Sequence, residues 1–307
     1  MRVLITGGSG FVGQRLCLHL KQAGHRLQVV SRDPGSARDK LPGGADIRRS
    51  VLDFVDSPPE AIINLAGEPI AAKRWSDEQK NRLIDSRVNV TRDLVMLCEQ
   101  LQQANGQAPR VMISGSAMGY YGDQGQAEVT EQTPPHDEFA HRLCKRWEDT
   151  ASEAADFGTR VVLLRTGLVL DQGGGSLEKM LPPFKLGLGG RFGDGRQYMP
   201  WVHREDLVRS ILFLLERDEL EGPFNGSAPH PVTNAEFTRV LAKQLHRPAV
   251  LPVPAIALET AFGEMARLLL TGADMRPARL LEAGFEFRYP TLESALSAIV
   301  GQRGRLL

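Results

Sequence analysis

Short apolar runs alternate with longer amphipathic stretches along the first half of the chain. The short runs are rich in β-branched residues and lie between turn residues, a pattern typical of strands in a parallel sheet buried on both faces. The stretches between them carry apolar residues at helical spacing. Repeated βα units of this kind predict an α/β fold with a doubly wound parallel sheet of the Rossmann type. The predicted strands are Val3–Ile5, Leu27–Val30, Ala61–Asn64, Val111–Ser114 and Val161–Arg165.

The pattern changes after residue 170. Residues 171–199 are rich in glycine and contain the pair Pro182 and Pro183, so we expect loops there, either a lid or pocket wall or plain connectors. Helical spacing returns at Arg204–Glu216, and Thr233 begins a capping-box pattern that predicts the start of another helix. We expect an NADP-binding Rossmann domain and a smaller C-terminal substrate-side region, with the boundaries 1–170 (200–226 returning to it) for the first and 171–199 with 227–307 for the second.

Composition and charge exclude several function classes. Lys plus Arg and Asp plus Glu both number 37, so no basic excess indicates a nucleic-acid surface. We find no apolar run of 18 residues, so no membrane span is expected, and the chain enters a strand at once, without room for a signal peptide; we expect a cytoplasmic protein. Cys17, Cys98 and Cys144 lie far apart without a CxxC pair, so no metal site is expected.

A glycine-rich motif, Gly7-Gly-Ser-Gly10-Phe-Val-Gly13, joins the first strand to the first helix. Glycines there allow a tight turn and a close approach of the backbone to a pyrophosphate, and the helix N-terminus offers unpaired N–H groups to an anion. Because strand, turn, helix and second strand all follow in order, the motif predicts a dinucleotide site rather than a purely structural turn. The expected cofactor contacts are Gly7, Gly10, Phe11, Val12 and Gly13.

The second strand ends in Ser31 and Arg32. NAD-binding proteins usually place a carboxylate there for the ribose 2′-hydroxyl, whereas a hydroxyl and a guanidinium suit a 2′-phosphate. The pair therefore predicts NADP(H) as the cofactor. The alternative is that Arg32 is a solvated surface residue.

Arg87 lies on the apolar stripe of the helix predicted over 77–103, between Leu83 and Val90. A cation that faces the core needs a partner, because burying an unpaired charge is costly. A bound phosphate or an acidic neighbour would serve, so we expect either a cofactor contact or an internal salt bridge.

The ends of two further strands carry small and polar residues. Ligands of open α/β sheets bind at the carboxyl ends of the strands, where small residues let a ribose or nicotinamide lie across the strand end. The alternative at each end is a plain turn into a loop. The expected contacts are Asn64, Leu65, Ala66, Gly67 and Ser114.

These motifs resemble the extended short-chain dehydrogenase/reductase superfamily. The match narrows to its atypical group of epimerase family proteins, the short-chain family 39U, also named nucleoside-diphosphate-sugar epimerases. The resemblance implies NADP(H) binding with contacts at Ser31, Arg32, Leu65, Ala66, Arg87 and Leu168. The motifs that carry it are TGGSGFVG at Thr6–Gly13, NLAG at Asn64–Gly67, SR at Ser86-Arg87, GYYG at Gly119–Gly122, WE at Trp147-Glu148, RTGLVL at Arg165–Leu170, PPFKLGLGG, QYMPWVHREDL at Gln197–Leu207 and NGSAPHPVTNAEF at Asn225–Phe237.

The chain departs from this superfamily at its catalytic pair, Tyr-x-x-x-Lys, in which the Tyr transfers a proton. No tyrosine of the sequence has a lysine four residues on. Alignment on Glu148 places Ala140 and Cys144 at the two positions. A shift by one residue pairs His141 with Lys145. His141 could then move protons near neutral pH, but the interpretation that we favour is an exposed helix residue.

Three other side chains are candidates for catalysis. Ser116 matches the serine with which the superfamily polarises its substrate, so it could donate a hydrogen bond to a carbonyl. Tyr120 and Tyr121 could supply a proton, although one of them could simply pack against the protein.

The sequence thus leaves three functions open. The first is an NADP(H)-dependent oxidoreductase or epimerase acting on an unidentified small or sugar-like molecule. The second is a non-catalytic module that binds NADP(H) and senses its redox state, and the third is a true nucleotide-sugar epimerase. A homodimer through the helix over 77–103 also stays open, although its apolar stripe is needed by the sheet.

Overall fold

The structure, a computed structural model, describes residues 1–301. Short 3₁₀ turns lie at Leu52–Phe54, Met118–Tyr120, Glu153–Phe157 and Gly263–Ala266. The strands are β1 (Arg2–Thr6), β2 (Arg26–Val30), β3 (Asp46–Arg48), β4 (Ala61–Asn64), β5 (Val111–Ala117), β6 (Glu128–Val129), β7 (Arg160–Thr166), β8 (Leu168–Leu170), β9 (Tyr198–Met199), β10 (Trp201–His203), β11 (Gly222–Gly226), β12 (Val232–Thr233) and β13 (Asp274–Met275). The helices are α1 (Phe11–Gln22), α2 (Pro34–Arg38), α3 (Asp77–Asn105), α4 (Phe139–Ser152), α5 (Gly175–Lys185), α6 (Arg204–Glu216), α7 (Asn234–Leu245), α8 (Ala255–Phe262), α9 (Arg267–Leu270), α10 (Ala278–Glu282) and α11 (Leu292–Gly301).

Within residues 1–301, one parallel sheet has seven strands in the order β11-β7-β5-β4-β1-β2-β3. The strand order reverses at β1, so the crevice beyond the carboxyl ends of β1 and β4 is the expected ligand position. The predicted α/β fold with a doubly wound parallel sheet is confirmed, and the five predicted strands correspond to β1, β2, β4, β5 and β7. The prediction omitted the two edge strands: β3 has only three residues, too few for a periodic signal, and β11 has the sequence GPFNG, which consists mostly of turn-forming residues.

Alternate residues of the strands bury into two separate cores. On β1, Val3 and Ile5 pack with α1 and α6, whereas Leu4 packs with α3 on the opposite face. Fully burying one such side chain contributes roughly 1.5–3 kcal/mol, so both faces stabilise the sheet. Packing on both faces therefore holds the strands in place, and with them the residues at the carboxyl edge of the sheet.

A third core joins α5, α7 and α11 in the C-terminal part of the chain. The prediction of loops throughout 171–199 was wrong at α5, which is a helix despite Pro182 and Pro183. Each proline removes one helical N–H donor. The carbonyls that lose their partners belong to Glu178 and Lys179, which are exposed residues that water can reach. Burial of the apolar face of α5 then outweighs the two lost bonds; its buried residues are Leu177, Leu181 and Phe184.

Two predicted helix starts are confirmed by their caps. The Thr233 hydroxyl accepts a hydrogen bond from the Glu236 N–H at 3.3 Å, and Nδ1 of His203 accepts one from the Glu205 N–H at 3.1 Å. Both bonds satisfy amides that would otherwise lack a partner in the first helical turn. In the described part of the chain, no helix combines the length and the apolar character needed to cross a bilayer.

Candidate functional site

The glycine turn between β1 and α1 is packed so tightly that side chains cannot enter it. A Cβ atom added at Gly13 would lie 2.2 Å from the Gly7 carbonyl oxygen and 2.7 Å from Cα of Gly8. Gly7 adopts a φ of 71°, which favours glycine. Gly10 caps α1 without a side-chain hydrogen bond, so amides of the first turn stay open to an anion. The turn fits the diphosphate of a dinucleotide.

The ends of β4 and α3 complete one side of this groove. A Cβ atom at Gly7 would lie 2.6 Å from the Leu65 carbonyl oxygen, and one at Gly67 would lie 3.0 Å from Cζ of Arg87. Leu65 and Ala66 are half-buried and Gly67 is exposed. The structure thus brings the glycine turn, the end of β4 and Arg87 into one continuous surface, as the sequence predicts.

Ser31 and Arg32 follow β2, the neighbour of β1 in the sheet. Ser31 is half-buried, and its hydroxyl donates to the Asp33 carbonyl oxygen at 3.0 Å. Arg32 is exposed and has no ion-pair partner within residues 1–301. A guanidinium next to the glycine turn can therefore reach a group at the adenosine end of the groove.

Arg87 is half-buried and makes no salt bridge within residues 1–301, so the structure does not contain the internal ion pair considered above. Instead its guanidinium donates to the carbonyl oxygens of Leu83 and Glu68, both at 2.9 Å, and lies 5.3 Å from the Trp147 ring centroid. Desolvation lowers the pKa of Arg87. Several of its five N–H donors stay available for a ligand.

Asn64 and Ser114 lie at the sheet edge, but their side chains bond inside the protein. Asn64 accepts from the Thr6 hydroxyl at 2.6 Å and donates to the hydroxyls of Thr91 (2.8 Å) and Ser114 (3.2 Å). Both side chains are fully buried. They tie β1, β4, β5 and α3 together, so at these two positions only the backbone remains for a cofactor.

A cavity of about 420 Å³ opens at the same edge of the sheet. Phe11, Arg87 and Leu168, which the sequence predicts as cofactor contacts, lie on its wall. The other parts of the wall come from distant segments of the chain. These include Ile70, Ala71, Trp75, Ala117–Gly119, Gly122, Glu138–Ala140, Leu143, Cys144, Thr166–Val169, Gly175, Ser176, Glu264, Arg267–Leu269, Thr271 and Gly272.

Ser116 is committed to a buried ion pair rather than to the cavity. Its hydroxyl donates to Oε1 of Glu148 at 2.6 Å, and the Glu148 carboxylate accepts two hydrogen bonds of 2.9 Å from Arg165. Ser116 is not among the residues of the cavity wall. Since its proton is held by the carboxylate, the arrangement does not support Ser116 as a donor to a substrate carbonyl.

Tyr120 and Tyr121 surround the same ion pair. The Tyr121 hydroxyl donates to Oδ1 of Asn225 at 2.7 Å and accepts from Arg165 at 3.0 Å, and burial raises its pKa to about 12. The Tyr120 ring centroid lies 3.4 Å from Cζ of Arg165. The structure places neither tyrosine on the cavity wall, which argues against proton donation by either.

On α4, the expectation that His141 is exposed was wrong. The residue is buried, and its Nδ1 forms a hydrogen bond of 2.7 Å with the Tyr120 carbonyl oxygen. Ala140 and Cys144, which align with the superfamily's Tyr and Lys, do face the cavity. Burial raises the pKa of Cys144 to about 12, so its thiol is neutral.

Sequence reasoning did not predict the C-terminal part of the wall. Residues 264–272 close the cavity, and Arg267 donates to the Glu138 carboxylate at 2.8 Å. No motif or periodicity marks this segment. A different part of the wall does have a sequence signal, the glycine run 173–175. A Cβ atom at Gly174 would lie 2.4 Å from the Phe11 ring, so glycine is needed where the chain passes over Phe11.

Comparisons with known proteins agree with this geometry. The model of the NAD dependent epimerase/dehydratase family matches residues 3–225. The chain belongs to this family. Residues 253–299 match a second model, a domain of unknown function named DUF1731, so the wall segment 264–272 lies outside the range matched by the epimerase/dehydratase model.

Relatives within the family cover the chain almost completely. An epimerase family protein of Mycobacterium bovis is 40% identical over 299 residues, which is 96% of each chain. The human epimerase family protein SDR39U1 is 37% identical over 98% of this chain and the whole of its own. The resemblance to the short-chain family 39U proteins is confirmed.

Solved structures of the family superpose on the chain. A crystal structure of human SDR39U1 with NADPH has a TM-score of 0.87 at 35% identity and covers 98% of this chain and 99% of its own. A UDP-glucose 4-epimerase of Thermotoga maritima has a TM-score of 0.78 at 20% identity over the full length of both chains. The second likeness establishes the fold alone.

Proposed function

We propose that the chain binds NADP(H) along the glycine turn and acts as an oxidoreductase on a small molecule held in the adjoining cavity. The proposal rests on one observation: the glycine turn, Arg32 and the cavity lie along the same carboxyl edge of the sheet. The tight turn leaves amides of α1 open, and an unpaired cation follows β2. A relative with 35% identity was crystallised with NADPH, which supports the same cofactor here.

The chain's own residues would divide the cofactor among three places. The amides of residues 11–13, next to Gly10, would hold the diphosphate, and Ser31 with Arg32 would hold the 2′-phosphate. The end of β4 with Phe11, Arg87 and Leu168 would hold the nicotinamide side. When bound, the nicotinamide supplies a hydride donor or acceptor.

Around a substrate, Arg87 would act as the polarising group. Its guanidinium is fixed by two backbone carbonyls, so its remaining donors are oriented toward the cavity without loss of side-chain freedom. The apolar wall excludes water and strengthens such a hydrogen bond. We also propose that the Rossmann part spans 1–170 with 200–226, and that 171–199 with 227–301 form the substrate side, a division supported by the separate core of α5, α7 and α11. The last six residues of the expected second region, 302–307, lie outside the described residues.

One observation favours a second candidate, a non-catalytic NADP(H)-binding module. Ala140 and Cys144 occupy the positions of the proton-transferring pair and bring no titratable donor that ionises near neutral pH. True nucleotide-sugar epimerisation ranks last, because it relies on that pair.

The cofactor proposal is tested by thermal unfolding with either nucleotide. A ligand of the native state raises stability by mass action, so NADPH is expected to raise the melting temperature more than NADH. Arg32→Asp places a carboxylate against the 2′-phosphate, and we expect it to weaken NADPH binding by about 10- to 100-fold, or about 1.4–2.8 kcal/mol. Arg38→Asp, at an exposed position on α2, is the matched control. Equal shifts by both nucleotides in the wild type would contradict the proposal.

Turnover separates the two candidates. With NADPH and a panel of aldehydes and ketones, an oxidoreductase is expected to consume NADPH. Arg87→Met is expected to reduce kcat/KM at least about 100-fold by removing the polarising donor, the lower end of what such donors contribute. The measurement is NADPH absorbance over time. NADPH binding without consumption for any compound would favour the non-catalytic module.

A further inference from the structure

The wall of the cavity is made mainly of apolar side chains. Trp75 and Phe139 meet edge to face with their ring centroids 4.8 Å apart. Other apolar side chains line the cavity together with this aromatic pair: Ile70, Met118, Leu143, Leu168, Val169, Leu268 and Leu269. A wall of this composition favours a ligand with a large apolar surface.

The charged groups of the wall cancel one another. Two cations, Arg87 and Arg267, face two carboxylates, Glu138 and Glu264. Arg267 is bound to Glu138 at 2.8 Å, and Glu264 is paired with Lys80 of α3. Among the residues that the structure describes, Arg87 is the wall cation without a carboxylate partner.

A nucleoside diphosphate carries more negative charge than this wall can compensate. Burying an anion is costly unless it is paired and hydrogen-bonded. Arg87 offers one positive charge, and the other wall cation, Arg267, is already paired with Glu138, so a second phosphate would find no counter-charge on the wall. The positions where a Tyr and a Lys would stand hold Ala140 and Cys144, so they add neither a phenol nor an ammonium group.

We propose that the cavity binds an uncharged aromatic compound with one carbonyl group, its rings against Trp75 and Phe139 and its carbonyl oxygen toward Arg87, and does not bind nucleotide sugars. The inference rests on the cavity being the substrate site of the proposed function. It names the substrate class and removes the sugar-like alternative. A volume of about 420 Å³ lies at the lower end of small-molecule sites, which span about 300–1,000 Å³.

Binding can be measured without NADP(H). The probe is 2-acetylnaphthalene, an uncharged two-ring ketone, compared with UDP-glucose on the full-length protein by titration calorimetry and by tryptophan fluorescence. Trp75 lies on the wall, whereas Trp147 and Trp201 are buried and do not line it, although the Trp147 ring lies 5.3 Å from the Arg87 guanidinium. The part of a saturable fluorescence change that Trp75→Phe removes therefore places the probe in the cavity. We expect 2-acetylnaphthalene to bind at least about tenfold more tightly than UDP-glucose.

Two variants locate the site further. Ala71 is exposed at the rim of the cavity, so Ala71→Trp is expected to weaken calorimetric binding at least about tenfold without unfolding the protein, while the neighbouring exposed Ala72→Trp changes it by less than about twofold. Arg87→Met is expected to weaken 2-acetylnaphthalene but not 2-ethylnaphthalene, which lacks the carbonyl.

Three results would overturn the inference: tighter binding of UDP-glucose than of the ketone, ketone binding that is unaffected by Ala71→Trp, or equal loss of both naphthalenes in Arg87→Met. Each of them can occur while NADPH still binds, and then the proposed function stands. Conversely, failure of NADPH binding ends the proposed function and leaves the ketone titration as an independent result.

Discussion

Arg165→Met is expected to lower the free energy of unfolding by about 3–5 kcal/mol. Arg165 and Glu148 are each about 5% exposed and are joined by two hydrogen bonds of 2.9 Å. Burial alone would lower the pKa of Arg165, but hydrogen bonds to Glu148 and its negative charge outweigh that effect and raise it. Removing the guanidinium leaves a carboxylate buried without its counter-charge, and the Tyr121 hydroxyl oxygen loses the hydrogen bond that it accepts from Arg165.

Chemical denaturation of a double-mutant cycle measures this effect. Arg165→Met combined with Glu148→Gln is expected to be less costly than the sum of the single variants, because no buried charge then lacks a partner. Lys145→Met is the control. Lys145 lies on α4, the helix that also carries Glu148, and forms with Asp149 an exposed ion pair that contributes about 0.5 kcal/mol or less. If Arg165→Met lowered the free energy of unfolding by less than about 1 kcal/mol, the buried ion pair of Arg165 and Glu148 would not be needed for stability.

Gly13→Ala is expected to abolish detectable NADPH binding, with a dissociation constant raised at least about 100-fold. The added methyl group would lie 2.2 Å from the Gly7 carbonyl oxygen, and both it and the next nearest atoms belong to the backbone. The turn or the start of α1 must therefore move, and the amides that would hold the diphosphate move with it. Overpacking of this kind also destabilises by about 1–3 kcal/mol.

The control for this variant is Gly43→Ala, because a Cβ atom at Gly43 meets nothing within 4 Å. NADPH binding by fluorescence and the melting temperature are compared for the two variants. We expect Gly43→Ala to behave as the wild type in both. Unchanged NADPH affinity in Gly13→Ala would mean that the nucleotide does not use the glycine turn.

Local patterns of the sequence predicted the sheet and the tight glycine turn well. Strand periodicity found β1, β2, β4, β5 and β7, and the glycine motif found a turn whose packing requires glycine. Both signals arise within a few neighbouring residues, so a single sequence carries them. The helix caps at Thr233 and His203 are local in the same way.

Predictions that depend on distant partners were less successful. Ser116 and Tyr121 are polar residues at the sheet edge, and only the fold reveals that Glu148, Arg165 and Asn225 engage them. His141 is buried because it packs against Tyr120 and forms a hydrogen bond with the Tyr120 carbonyl oxygen. The residues of 264–272 reach the cavity across the whole length of the chain, and no short pattern encodes such an approach.

The proposed cofactor groove and the cavity come from separate parts of the chain. The groove is formed within the first third of the sequence, by the glycine turn, Ser31, Arg32 and Gly67. The wall segment 264–272 lies near the end of the sequence. The segment 264–272 contains no strand of the seven-stranded sheet and no residue of the glycine turn. Descendants of one ancestral gene can therefore acquire new substrates through a short terminal stretch, while inheriting the same coenzyme chemistry unaltered.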